Sequence, residues 1–194
     1  MSSDSLIHPS WQALYETAAP QEGYFTSPQA ARAGFSAPLL THHRKAGRLR
    51  HVRRGIYRLV QFPAGDHEDL VTAWLWSEAA GVFSHQTALS LHQLSDAMPE
   101  TLHVTMPTPW RSRRLRVPTG IALHYGDVAE KDRSWIGPVP VTSVLRTLRD
   151  CARDGLTPDL MLQALRQALD RGLVRATEVQ DIACLPVSKK QIPR

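Results

Sequence analysis

Several protein classes leave marks that this sequence does not carry. It has two cysteines, Cys151 and Cys184, in 194 residues. Two cysteines make neither a disulfide framework nor a zinc set, so the expectation is a reduced, cytoplasmic protein. The longest apolar runs, such as residues 79–83, are about five residues long, whereas a membrane span needs roughly 20. No membrane partner is expected. The opening Met1-Ser2-Ser3-Asp4-Ser5 lacks a basic n-region and an apolar h-region, so no secretory signal is expected either. There is no Walker-type phosphate loop and no G-x-S-x-G elbow. No nucleophile–base pair or carboxylate pair stands at working spacing. No catalytic residue and no cofactor is therefore assigned, and the chain is not read as an enzyme.

The most informative absence is that of acid. Between Gly23 and Gly65 there is no Asp or Glu, while Arg32, Arg44, Lys45, Arg48, Arg50, Arg53, Arg54 and Arg58 all fall there. The first 22 residues are net acidic, residues 66–194 are balanced, and the chain as a whole carries +5. All of the excess positive charge thus belongs to one window. A local field of that kind suits a polyanion such as nucleic acid. The alternative is a solvated basic face.

The pattern inside the window favours duplex DNA. A helix is expected from Ser10 as cap to about Ala19, ended by Pro20 and Gly23. Ser27-Pro28 opens a second helix, closed by Gly34. Ser36 opens a third, which tolerates Pro38 in its first turn and stops at Gly47. Helix, glycine turn, helix is helix-turn-helix spacing. Two short β-rich runs follow, Leu49–Val52 and Ile56–Val60, with Arg53-Arg54-Gly55 between them as a hairpin turn. A hairpin directly after a helix-turn-helix is a winged helix.

At about 100° per residue, the third helix places Leu39, Leu40, His43 and Ala46 on one stripe. Thr41, Arg44, Lys45 and Arg48 fall on the other. That polar face suits a major groove, with arginine bonding guanine, threonine touching a thymine methyl and lysine neutralising phosphate. Arg50, Arg53, Arg54 and Arg58 of the hairpin are expected at phosphates or in the minor groove. Their alternative role is a charged β-edge that resists aggregation. Tyr57 and Leu59 are expected to pack inward. The eight cations are expected to share one docking surface.

Phe62-Pro63-Ala64-Gly65 reads as a linker. The expected organisation is a winged-helix domain over 1–62, an α+β domain over 66–186, and a frayed tail over 187–194. In the second domain, helices are expected at Asp66–Ala80, Ser84–Leu94, Thr142–Ala152, from Thr157 onward, and at Thr177–Ala183. Strands are expected at Leu102–Met106, Gly120–Tyr125 and Val139–Val141, making a small sheet under helices. Arg111, Arg113, Arg114 and Arg116 form a second basic cluster. It is either a further nucleic-acid or partner surface or a solvated loop. Arg146 and Asp150 stand four apart on a helix, the spacing of an ion pair. His85, His92, His103 and His124 show no metal-ligand spacing, so no metal site is assigned.

The run Tyr24-Phe25-Thr26-Ser27-Pro28-Gln29-Ala30-Ala31-Arg32-Ala33-Gly34-Phe35, then Leu39-Leu40 and Leu49, then Arg53-Arg54-Gly55-Ile56-Tyr57-Arg58, resembles the N-terminal winged helix of AbiEi-like antitoxins of type IV (abortive-infection) toxin–antitoxin systems. The resemblance continues through Phe83-Ser84-His85-Gln86-Thr87-Ala88-Leu89, Leu91-His92-Gln93-Leu94, Pro140-Val141-Thr142-Ser143, and Arg146-Thr147-Leu148 with Asp150. It implies a transcriptional autorepressor that binds double-stranded DNA at its own operator. It further implies a second domain of antitoxin type that counteracts a nucleotidyltransferase-like toxin without requiring a stable complex. Many relatives carry a nuclease-like domain after the Arg-Thr-Leu-x-Asp helix, and none is expected here. Two other readings stand beside this one. One is a solitary winged-helix regulator without a toxin. The other is a nucleotide-processing enzyme using the second domain, with His85, His92 and Asp150 as the residues to change.

Overall fold

The computed structural model describes residues 8–96 and 98–183, and the tail expected over 187–194 lies outside them. The fold is α+β, with helices and two small sheets. The chain divides into two compact units, residues 1–79 and 80–194.

The first unit runs α1 (Trp11–Ala18), β1 (Tyr24–Thr26), α2 (Ser27–Arg32), α3 (Ala37–Lys45), β2 (Leu49–Arg53), β3 (Ile56–Leu59) and α4 (Glu68–Trp76). The three strands form an antiparallel sheet in the order β1-β3-β2. This is the element order of a winged helix-turn-helix. Ser10 caps α1 by accepting from the amide of Ala13. The cap of α2 is Thr26 rather than Ser27. Thr26 accepts from the Gln29 amide while the Gln29 side chain accepts from the Thr26 amide, a complete capping box. Ser36 caps α3, and Pro38 sits harmlessly in its first turn.

Strand β1 was not expected. Three residues are too short for period-two alternation to show, and the pairing that makes them a strand comes from β3, with Tyr24 opposite Arg58 and Thr26 opposite Ile56. Gly23 just before it has φ +82°, and a Cβ there would lie 2.5 Å from Cβ of Phe62. Only glycine fits without strain.

The sheet has two covered faces. On one, Phe25, Leu49 and Leu59 join Leu14, Ala18, Ala30, Phe35 and Leu40 in the core under α1, α2 and α3. On the other, Tyr24, Ile56 and Arg58 are buried on the side where α4 packs against β1 and β3. This corrects the expected domain boundary. Residues 66–79 belong with the winged helix, because a strand buried on both faces needs a layer on each.

The second unit carries a mixed sheet in the order β6-β5-β4-β8-β7. Its strands are β4 (Val82–Phe83), β5 (Leu102–Met106), β6 (Ile121–Tyr125), β7 (Arg133–Ile136) and β8 (Val139–Thr142). Strands β5 and β6 are parallel, as are β4 and β8, while β4–β5 and β7–β8 are antiparallel. Its helices are α5 (His85–Leu91), α6 (Val144–Asp154), α7 (Pro158–Asp170) and α8 (Gln180–Ala183). Leu89, Leu94, Leu148, Cys151, Ala164 and Ala168 form their common core. Ser143 caps α6, and Gly155 in the left-handed conformation ends it. Among the described residues no helix is long and apolar enough to cross a membrane.

Candidate nucleic-acid interface

The second helix of the helix-turn-helix, α3, is amphipathic by construction. Leu40 and His43 are buried and Leu39 is half-buried, while Thr41, Arg44 and Lys45 are exposed. His43 meets the Trp11 ring edge-on at 4.8 Å and the Phe35 ring at 5.8 Å. Burial, then His42 and Arg48 nearby, lower its pKa. A neutral imidazole is the form that packs among rings. Thr41 Oγ1 donates to the Ala37 carbonyl at 3.1 Å. Among the described residues, no carboxylate lies within ion-pair distance of Arg44, Lys45, Arg53 or Arg54.

The helical extrapolation fails at the end of α3. Ala46 is exposed rather than buried, because it is already the C-cap with ψ near 4°. Gly47 has φ +73° and the Arg48 amide donates back to the His43 carbonyl. The chain therefore changes direction before Arg48. Arg48 lines a cavity of about 680 Å³ with Trp11, Tyr15, Leu59 and Phe62, on the α1 side.

The hairpin cations also divide. Cross-strand partners share a face of a sheet, and Arg50 pairs with Arg58, which pairs with Tyr24. Arg50 therefore stands on the face that α4 covers, though it is itself exposed. Arg58 is a clear correction. It is only 8% exposed and donates to the carbonyls of Phe62 and Pro63 at 3.1 and 2.9 Å. It pairs with Glu68 at 3.2 Å and lies over the Tyr24 ring at 5.4 Å. It fastens the linker and α4 to the sheet and has no free surface for a phosphate. Its acidic partner lies ten residues on, outside the acid-free window, so window arithmetic could not find it.

Arg53 and Arg54 are exposed at the hairpin turn, with Gly55 at φ +73°. The amide of Ser27 donates to the Gly55 carbonyl at 2.8 Å, anchoring this turn on the start of α2. Arg54 and Arg32 line one cavity with Gln29 and Pro28. Arg32 is one of the eight cations of the acid-free window, though no individual contact was expected of it. The eight cations thus do not form one surface. Arg44 and Lys45 remain on the exposed face of α3, Arg53 and Arg54 at the turn, Arg32 beside it.

In the second unit, Arg111, Arg113, Arg114 and Arg116 are all exposed. Arg113 lies over the Trp110 ring at 3.9 Å and Arg111 over Tyr125 at 5.6 Å. Arg146 Nε bonds both carboxylate oxygens of buried Asp150, at 2.9 and 3.0 Å, so the expected ion pair is formed. Burial raises the Asp150 pKa, and Arg146 opposes the shift. Burial first, then Asp150 and Asp154, push the Cys151 thiol up to about 12, which removes it as a nucleophile near neutral pH. His92 Nε2 is bonded to the Thr142 carbonyl at 2.7 Å. The other three histidines of the sequence reading, His85, His103 and His124, come together.

Residues 12–60 match the model of a family described as transcriptional regulator, AbiEi antitoxin. The matched stretch runs from α1 past the end of β3. It contains the residues from Tyr24 to Phe35 and from Arg53 to Arg58 of the sequence resemblance, and leaves α4 and the second unit outside, with the further stretches of that resemblance between Phe83 and Asp150. No curated protein matches the chain. The crystal structure of the RV2827C protein from Mycobacterium tuberculosis is similar with a TM-score of 0.52, over 96% of this chain and 76% of that one. At 12% sequence identity that likeness is one of fold.

Proposed function

We propose that this chain is a DNA-binding transcriptional regulator that represses its own operon and serves as the antitoxin of a type IV toxin–antitoxin system. The observation that carries the reading is the exposed face of α3: Thr41, Arg44 and Lys45 without an acidic neighbour, on the second helix of a helix-turn-helix within the residues that match an antitoxin-regulator family. In this account α3 enters the major groove. Arg44 reads a base edge, Lys45 holds a phosphate, and Thr41 offers its methyl to thymine. Arg53, Arg54 and Arg32 hold the backbone beside it. Arg48 and Arg50 contribute to the general field and Arg58 to the fold.

The second unit, with residues 66–79 reassigned to the first, is the antitoxin part. It counteracts a nucleotidyltransferase-like toxin without needing a stable complex. The exposed cluster Arg111, Arg113, Arg114 and Arg116 is its candidate surface for nucleic acid or a partner. The reading is of a regulator rather than an enzyme, working in the cytoplasm.

The test is a gel shift with the DNA upstream of this chain's own coding sequence. A shift that survives excess random duplex, and is lost in Arg44→Ala with Lys45→Ala, supports the reading. No shift, or equal competition by random duplex, overturns operator recognition. Co-expression with the neighbouring reading frame tests the antitoxin half: relief of its toxicity supports that half, and unrelieved toxicity overturns it.

A further inference from the structure

We propose that His85, His103 and His124 form a binding site for one divalent transition-metal ion of the zinc class. Each of the three can offer one ring nitrogen, and these atoms all lie within 4.8 Å of one another. His103 Nδ1 and His124 Nε2 are 2.9 Å apart. The rings of His85 and His124 are stacked with centroids 3.6 Å apart and planes 16° off parallel. In a tetrahedral zinc site with ~2.05 Å bonds, ligand atoms stand about 3.3 Å apart. Closing the set around an ion therefore asks each separation to change by about 1.5 Å or less, within reach of ring rotation.

The fold builds this cluster from three separate elements. In the parallel β5–β6 ladder His103 is opposite Ala122 and Thr105 opposite His124. His103 and His124 therefore share one face of the sheet, one step apart on the diagonal. His85 is the first residue of α5 and holds φ +51°. A left-handed backbone is uncommon for a residue with a Cβ, and it is kept where the surroundings determine it.

The surroundings also orient the ring. Ser84 Oγ lies 2.9 Å from His85 Nδ1, and Thr105 Oγ1 donates to that same hydroxyl at 2.7 Å. Ser84 has a second lone pair with which to accept an Nδ1–H, which leaves Nε2 of His85 as the ligand atom. A hydrogen-bond acceptor on the far ring nitrogen fixes the orientation of a metal-bound histidine, and the Ser84 hydroxyl is placed to act as one. The Thr87 hydroxyl likewise accepts from the His103 amide at 2.8 Å and fixes β5 against α5.

Burial, and the neighbouring His124, lower the His85 pKa to about 3, so that ring is neutral and ready to ligate at physiological pH. Three imidazoles select zinc, copper, nickel or cobalt over magnesium and calcium, which take oxygen. The three residues are only partly buried, so an ion can enter, and its fourth position is left to water. A purely structural histidine cluster accounts for the hydrogen bond and the stack. It gives no reason for gathering three imidazoles around a strained His85 backbone.

The experiment is a titration of the untagged full chain with Co2+, followed by Zn2+, near neutral pH. The expected result is one Co2+ per chain with visible ligand-field bands, displaced by one Zn2+. Affinity should fall roughly tenfold or more in His103→Ala, and Thr105→Val, which removes support but no ligand, should show a smaller loss. His92→Ala should bind as the parent chain does. If His103→Ala fails to fold by circular dichroism, His124→Gln replaces it, since glutamine keeps a hydrogen-bonding group beside His103. Absence of stoichiometric uptake at micromolar Co2+ or Zn2+ overturns the site. So does unchanged binding in the ligand variants, which would place the ion elsewhere on the chain. The outcome is independent of whether the first unit binds DNA.

Discussion

Replacing Arg58 separates a structural cation from a DNA contact. Arg58→Met keeps the length of the side-chain stem and removes the guanidinium. Two bonds to main-chain carbonyls, an ion pair with Glu68 and a cation–π contact with Tyr24 go with it. A hydrogen bond from a charged donor contributes about 1.5–3 kcal/mol. Relief from keeping a cation out of water offsets part of that. Glu68, whose side chain is 33% exposed, can rehydrate. The net loss is about 2–4 kcal/mol, or roughly 5–15 °C in Tm for a chain of this size. Circular dichroism melts of the full chain measure it, and anisotropy with a labelled operator duplex, well below both transitions, measures affinity. The expected outcome is a lowered Tm with DNA affinity unchanged within about twofold, which is ~0.4 kcal/mol. An unchanged Tm with operator affinity lowered by tenfold or more would return Arg58 to the interface and refute the account of its burial.

Three further outcomes follow from the same geometry. Arg44→Ala should cost about 1–3 kcal/mol on the operator and less on random duplex, measured by competition anisotropy; equal losses would make Arg44 a phosphate contact. Gly23→Ala should destabilise the chain by about 1–3 kcal/mol, read from urea unfolding, because it combines φ +82° with a Cβ 2.5 Å from Phe62; a neutral effect would contradict the packing there. His85 has its pKa depressed from 6.5 to about 3 in the folded chain. Between those values the unfolded chain binds more protons, so the stability contribution of neutral His85 is present above pH ~6.5 and is lost as pH falls toward ~3. Acid unfolding should shift to lower pH in His85→Phe, and an unshifted midpoint would contradict the burial of a neutral ring.

Much of the first unit could be read in advance because its signals are local. Ser10, Ser36 and Gly47 act on their own neighbours, so α1, α3 and the exposed Thr41, Arg44 and Lys45 came out of capping and periodicity. What escaped depends on distant partners. Strand β1 exists because β3 lies beside it, and the two-residue β4 because β5 and β8 do. The α4 layer determines the fate of Arg58, since a cation on a two-stranded wing is solvated but the same cation under a helix needs Glu68. Arg48 escaped for a local reason, the left-handed Gly47, which ends the 100° rule one residue too soon. The histidine trio was invisible as spacing, because 18 and 21 residues separate its members and only the parallel β5–β6 register brings two of them to one face. Along one chain they looked like three unrelated residues.

The salt dependence of operator binding tests the central claim, that α3 and the hairpin turn dock on duplex DNA. With Lys45, Arg53, Arg54 and Arg32 each neutralising a phosphate, log K should fall against log salt with a slope of roughly −4, at about −0.9 per phosphate. Arg53→Ala with Arg54→Ala should make the slope shallower by about 2. Binding that is flat in salt, or a slope untouched by those substitutions, would contradict the account.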